Sequence, residues 1–410
     1  MIHKIRNLRD KPIVSYFIAN VVYSMSSFAL TLLLPIALDL ETFHRFIYAY
    51  QMVLFLTTVT NIGIVVGLYK YIKDNRQEAL GIYYSLLLIV YVLMLALACT
   101  NRNIVNEWIK IGPLTRVENF AFYLSLMVSS MFVYNKGKNV ADKDYRYMLR
   151  VTSSASAFRL LAIVIAYIFQ IKSITILLLL VFVFPFGVDV KDFIKNAYHY
   201  VRPSTLNKPF VKVFIYYSLR VWLIGTLFMV SDKMFLISTK GLNVQMTTAI
   251  AFAGGFLGII SLFNQTFQNY FISNLAGSDA QSIVAYIKKI RKLLFPYLLS
   301  LLTICGLISG FVFCAYPSLG TLAAIVVFAT LIRAGLISYL GLYSLLTKIL
   351  NLLNVEITLS VLRIAVVYCL CNFWHCENML LWYVAVIFII PFPEVILSVL
   401  VRNKALTASR

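Results

Sequence analysis

The stretch Leu293–Ile332, LLFPYLLSLLTICGLISGFVFCAYPSLGTLAAIVVFATLI, runs for 40 residues without an Asp, Glu, Lys or Arg. A helix needs about 20 apolar residues to cross the hydrocarbon core of a bilayer. The stretch is therefore long enough for two crossings, and a soluble core helix has no use for such a length. Working outward, residues 12–38, 46–69 and 242–278 are equally free of charged side chains. Of all 410 residues, 61% are hydrophobic and only 13% charged, against roughly a quarter charged in soluble domains. The predicted fold is an all-α polytopic membrane protein, with about 12 transmembrane helices in two six-helix lobes around a central cavity.

The twelve expected spans are residues 13–37, 46–69, 80–99, 117–134, 149–170, 173–188, 211–231, 246–271, 293–314, 319–346, 354–372 and 379–400. With the N-terminus inside, cytoplasmic segments hold 25 Lys and Arg, and the opposite side holds 7. That bias places both termini in the cytoplasm. The longest connection, about 189–210, follows the sixth span and is expected to be a cytoplasmic loop. It divides the chain into an N-terminal lobe, 1–200, and a C-terminal lobe, 201–410. Six is even, so both lobes begin on the same side and any repeat would be parallel.

The net charge of +20 would suggest nucleic acid in a soluble protein, but here topology accounts for it and no nucleic-acid partner is expected. The basic N-terminus leads into an apolar run too long for a signal peptide and without a small-residue cleavage site, so it reads as a retained first span. Six scattered cysteines do not form a disulfide framework. Cys371, His375 and Cys376 match no zinc spacing, and no metal is expected. The chain has no Walker A motif, no nucleotide-binding glycine loop and no Ser/His/Asp arrangement, so neither a catalytic site nor a cofactor is expected.

Four basic residues lie near the middle of spans: Arg159, Arg220, Arg333 and Arg363. Each would cost about 2.5–3.5 kcal/mol if it faced lipid, so each must face water, protein or a ligand. Acids at that depth are scarce; Glu356 shares a helix face with Arg363, while Glu394 and Asp232 sit near span ends. One reading is a basic cavity for an anionic substrate, with the four arginines as its binding residues. The other is that the arginines pair with Glu356, Glu394 or backbone carbonyls, or snorkel along tilted helices. Polar stripes add candidates: Asn20, Ser24, Ser27 and Thr31 on one face of the first span, and Ser261, Asn264, Gln265, Gln268 and Asn269 on the eighth. Among these, Asn20, Ser24, Asn264 and Gln268 are the expected substrate contacts, although interhelical bonding would use the same groups. Gly63-x3-Gly67 is expected to mark a close helix contact.

Leu32–Asp74, LLLPIALDLETFHRFIYAYQMVLFLTTVTNIGIVVGLYKYIKD, resembles the first two spans of bacterial O-antigen flippases. These form part of the polysaccharide-transporter branch of the multidrug/oligosaccharidyl-lipid/polysaccharide exporter superfamily. Tyr216–Thr239, YYSLRVWLIGTLFMVSDKMFLIST, is similar to the family's seventh span, and Asp232-Lys233 near its outer end would be gating or structural. Some relatives carry a basic residue in the first span, which this chain lacks. The resemblance implies transfer of an undecaprenyl-pyrophosphate-linked oligosaccharide, the O-antigen repeat unit of lipopolysaccharide biosynthesis, from the cytoplasmic to the periplasmic leaflet of the bacterial inner membrane. It also implies membrane lipid and other O-antigen assembly proteins as partners, and an H+ or Na+ gradient or the membrane potential as the source of energy. The rivals are a multidrug/cation antiporter of the same superfamily, which would need buried carboxylates, and a membrane glycan polymerase, which would need a large external loop. The longest outer loop, about 100–116, is short.

Overall fold

The computed structural model describes residues 12–61, 63–73, 75–99, 114–201, 208–238, 244–257, 260, 280–316, 320–349, 352–373 and 378–408. They form two compact units, Met1–Met229 and Val230–Arg410. Among them, nine helices are long and apolar enough to cross a membrane, and two bent pairs raise this to eleven. Each of the eleven coincides with one expected span. The eighth is the exception, because most of residues 258–279 lie outside the described set.

The first unit contains α1 (Pro12–Ala37), α2 (Leu40–Thr60), α3 (Ile64–Tyr71), α4 (Arg76–Cys99), α5 (Arg116–Ala141) and α6 (Tyr145–Ile168). Then come α7 (Ile174–Leu178), a π-helical turn (Leu179–Val183), α8 (Gly187–Tyr200) and the first two-thirds of α9 (Lys208–Ser238). At the start of α2, Asp39 accepts the Thr42 N–H and hydroxyl, and those bonds hold its carboxyl below the usual carboxylate range. Thr115 and Glu118 close a capping box at the start of α5, which satisfies two backbone donors reciprocally.

Helix α5 packs against α2, α3, α4, α6, α7 and α8. It is the most buried of the nine long spans and among the least apolar. The two properties belong together, since a helix shielded from lipid can carry Ser125, Ser129, Ser130 and Asn135 in its buried face. Those groups find partners: the Ser125 hydroxyl donates to the Leu178 carbonyl at 3.3 Å and the Thr57 hydroxyl donates to Ser129 at 3.3 Å.

Helices α2 and α3 meet at 42°. A break inside a bilayer frees backbone carbonyls that protein groups must satisfy. Tyr134 donates to the Thr60 carbonyl at 2.7 Å, and the Trp222 indole donates to the Val59 carbonyl at 2.7 Å. Gly63 stands at the break with φ of 61°, and a Cβ there would lie 2.2 Å from the Ser218 carbonyl oxygen. At Gly67 a Cβ would meet the Ser218 hydroxyl at 2.2 Å. The two glycines are thus a notch for α9, the close contact their spacing suggests. Gly63→Ala is expected to lower stability by about 2 kcal/mol or more, because it adds a left-handed backbone penalty to an overlap with main chain. A thermal midpoint equal to that of the parent protein would contradict this reading.

The expected loop 189–210 requires correction, because most of it is helix α8. Asp189, Phe193 and Ala197, spaced by four, are its buried residues, so this is an amphipathic helix. Its Asp and Lys residues read as loop when only hydropathy is weighed. Pro185 sits in the break before it, where the chain turns by 58°.

The second unit contains the end of α9, then α10 (Val244–Gly255), α11 (Ala280–Ala315), α12 (Gly320–Ile349), α13 (Leu353–Phe373), α14 (Met379–Ile389) and α15 (Phe392–Ala408). Helix α12 is the hub, packed against α10, α11, α13, α14 and α15. It is the tenth span and α5 the fourth, so each half of six places its fourth span at the centre of its own unit.

Candidate functional site

In the first unit the chemistry gathers around α1 and α6, which pack along their lengths. Arg159 on α6 has no solvent exposure. Its guanidinium donates to the Ser27 hydroxyl and the Tyr50 hydroxyl, both at 2.9 Å. The Cζ atom lies 5.3 Å from the Tyr23 ring and 5.9 Å from those of Tyr50 and Phe186, within cation–π range. Phe132 completes the wall, stacked on Tyr23 at 5.3 Å and beside Phe186 at 4.4 Å. Arg159 Nε has no hydrogen-bond partner among the described residues. Among the described residues, the groups around this permanent cation are neutral hydroxyls and aromatic rings.

A second cation lies near the same Tyr23 ring. Lys136 of α5 donates to Asn20 Oδ1 at 2.7 Å, and its Nζ is 5.5 Å from the Tyr23 ring. Asn20 and Ser24 are both buried on α1. The sequence reading ended the fourth span at 134 and therefore counted Lys136 as a loop residue. The helix runs on to Ala141.

One buried acid also belongs to this unit. Asn135 donates through Nδ2 to the Asp189 carbonyl at 2.7 Å and to its Oδ1 at 3.2 Å. Asp189 Oδ2 is buried with no partner among the described residues.

In the second unit Arg333 on α12 and Arg363 on α13 are both 3% exposed. Arg363 Nη1 makes an ion pair with Glu394 Oε1 of α15, and Arg333 adds to the positive field on the same carboxylate. Glu394 Oε2 is buried without a hydrogen-bond partner among the described residues. For Arg363 the pairing reading of the sequence therefore applies, with Glu394 as a partner.

Arg220 is placed differently. It lies on α9, half-buried, with Cζ 5.3 Å above the ring of Tyr216 one turn earlier. Lys233 is buried further along the same helix, where the side chain of Asp232 lies outside the description. Asn264 and Gln268 also lie outside the described residues.

The two acids that sequence reasoning passed over, or placed at a span end, share a local signature. Phe184-Pro185-Phe186-Gly187-Val188-Asp189 breaks the sixth span, and Ile390-Pro391-Phe392-Pro393-Glu394 breaks the twelfth. Proline cannot donate to the helical ladder, so each last span of six is interrupted. In each, a buried or nearly buried carboxylate follows in the next turn. A search for Pro-Phe followed by an acid would have found both.

No protein-family model matches the chain, and no curated protein matches its sequence. Solved structures do share its fold. A MATE transporter in complex with MaL6 aligns over 98% of both chains, at 12% identity and a TM-score of 0.59. A multidrug resistance MATE family transporter of the MOP superfamily, in an outward-facing conformation, gives 0.55 at the same identity and coverage. A MOP superfamily transporter from Pyrococcus furiosus, described as having a binding pocket of reverse polarity and a different function, gives 0.53, again at 12% identity over 98% of each chain. The chain has the fold of these multi-pass membrane transporters.

Proposed function

We propose that this chain is a flippase that carries an undecaprenyl-pyrophosphate-linked oligosaccharide from the cytoplasmic to the periplasmic leaflet of a bacterial inner membrane, by alternating access. The observation that carries the proposal is the excess of buried cation over buried anion among the described residues. Among the described residues Arg159, Lys233, Arg333 and Arg363 are buried, against the buried Asp189 and the nearly buried Glu394 that pairs with Arg363. Such charge is expensive within a membrane and marks a functional site by default. A pyrophosphate bridge suits buried arginines, because arginine forks bind phosphate oxygens with charge-assisted bonds. Within the first unit, Lys136, bonded to Asn20, lies beside Tyr23, whose ring also meets Arg159, and adds a second cation there. Outward movement of an anion across a negative-inside membrane is downhill by about 2.3 kcal/mol per charge per 100 mV. The potential, or an H+ or Na+ gradient, would then drive the cycle. The Pyrococcus furiosus neighbour is a precedent in this fold for a pocket of altered polarity.

The multidrug antiporter is the second reading. It is favoured by Asp189, a buried acid with one oxygen unpartnered among the described residues, and by neighbours named for multidrug resistance.

The test is glycan display in a bacterium that lacks its own O-antigen flippase and is supplied with this chain. Display is expected to return, and to fall at least tenfold in Arg333→Glu expressed at equal level. If instead drug resistance rises and depends on Asp189 with no gain in display, the antiporter reading replaces the flippase.

A further inference from the structure

The second unit holds a cavity of about 250 Å³ between α11 and α12, lined by Pro296, Tyr297, Leu301, Ile304 and Leu342 among others. None of the basic residues discussed above lines it. Three of its four polar side chains, all but Ser338, donate to main chain. Tyr297 donates to the Gly335 carbonyl at 2.8 Å, Tyr339 to the Ile290 carbonyl at 2.9 Å, and Ser300 to the Pro296 carbonyl at 2.8 Å. What remains facing the cavity is hydrocarbon and ring surface, which does not hold water. An engineered apolar cavity of about 150 Å³ stays dry and takes benzene, so this one has room for a length of alkyl chain.

Helix α11 carries the outer side of this cavity, and its other face is exposed and apolar through Phe295, Leu299, Leu302 and Leu307. On a multi-pass fold that face meets lipid tails, so the chains nearest the cavity are those of the bilayer itself. On the same helix, two residues before the lining residue Leu293, Arg291 is exposed and close enough to act electrostatically on the hydroxyls of Tyr339 and Tyr343. Tyr339 lines the cavity. Lys288 and Lys292 flank Arg291 on exposed positions, and Arg402 also acts on Tyr343. An apolar slot with a cationic mouth fits an amphiphile with a phosphate head.

We infer that the second unit binds an anionic glycerophospholipid of the surrounding membrane, with one acyl chain in the cavity between α11 and α12 and its phosphate on Arg291. Bilayer lipid is the occupant because it is present at solvent-like concentration beside α11, and mass action favours it over any rarer amphiphile. Bound this way, the lipid fills a void beside Pro296, where the helical ladder is already interrupted, and so stiffens the α11–α12 pair. The inference is independent of the cargo the transporter carries.

The full-length protein, purified in detergent and given equimolar dioleoyl phosphatidylglycerol and phosphatidylcholine, tests it by native mass spectrometry of retained lipid. Phosphatidylglycerol is expected to be retained about fivefold over phosphatidylcholine, the ratio that corresponds to ~1 kcal/mol for one arginine beside an anionic head. Arg291→Glu, a change at an exposed site, is expected to abolish the preference. Ser300→Trp, which fills the cavity from its exposed edge, is expected to lower retention of both lipids at least fivefold. Three results would each overturn the proposal: equal retention of the two lipids, retention undiminished in Ser300→Trp, or release of the lipid by millimolar inorganic phosphate alone. A well-folded Arg291→Glu protein that keeps its preference would do the same.

Discussion

Arg159→Met is expected to reduce glycan display by about 30-fold or more, the loss that follows when one charged partner of a buried pair with phosphate is removed. The same substitution is expected to leave membrane insertion intact and to hold or raise the thermal midpoint. Methionine fills much of the volume, and it removes a charge whose placement costs about 2.5–3.5 kcal/mol when uncompensated. The Ser27 and Tyr50 hydroxyls lose a donor each but remain able to donate elsewhere. Function and stability should thus move in opposite directions, which a structural clamp would not do. Arg159→Lys should recover little activity, because one ammonium cannot span Ser27 and Tyr50 as the planar fork does. The checks are surface-glycan immunoblots alongside thermal denaturation of the purified protein. If Arg159→Met loses stability and keeps its transport, Arg159 belongs to the scaffold.

The second large effect is expected at the Arg363–Glu394 pair. Glu394→Ala removes the carboxylate that pairs with the buried Arg363, a type of change that costs about 3–5 kcal/mol. Replacing both partners with apolar residues of similar volume, as in Arg363→Met with Glu394→Met, is expected to restore most of that loss. The comparison forms a double-mutant cycle, and a coupling near zero would mean that the pair has no energetic reality. Transport separates the structural from the functional part. If the pair serves only to hold α13 against α15, the double variant transports normally. If Arg363 also meets the cargo, the double variant is stable but inactive.

The spans were legible because charge-free runs leave few alternatives, and eleven of the expected twelve coincide with an observed helix or bent helix pair. The exceptions are instructive. Residues 189–200 read as loop because hydropathy counts Asp189, Lys191, Asp192 and Lys195 against a helix, whereas the period of four that buries Asp189, Phe193 and Ala197 supports one. Lys136 was lost for a related reason: α5 is enclosed by protein, so its polar end continues as helix beyond the point where an apolar run stops. The depth of the arginines could be read, but their direction could not. Arg159, Arg333 and Arg363 are buried, while Arg220 has the same position along its span and stays half-buried beside Tyr216. Which neighbour a cation meets is decided by packing between helices distant in sequence, as when Ser27 and Tyr50 come to Arg159 across 132 and 109 residues.

The notch at Gly63 and Gly67 bears on how such chains can be recombined. Its filler, Ser218, is encoded after the connection that divides the chain into two sets of six spans, yet it packs with the first set. A chimera that joined residues before 202 to the corresponding later half of a relative would inherit a foreign rib against its own groove. Any side chain larger than glycine at the groove, or a differently placed carbonyl on the rib, would then collide. A viable graft point lies past residue 229, inside a continuous helix, and shuffling of whole six-helix halves is disfavoured by the geometry of two glycines.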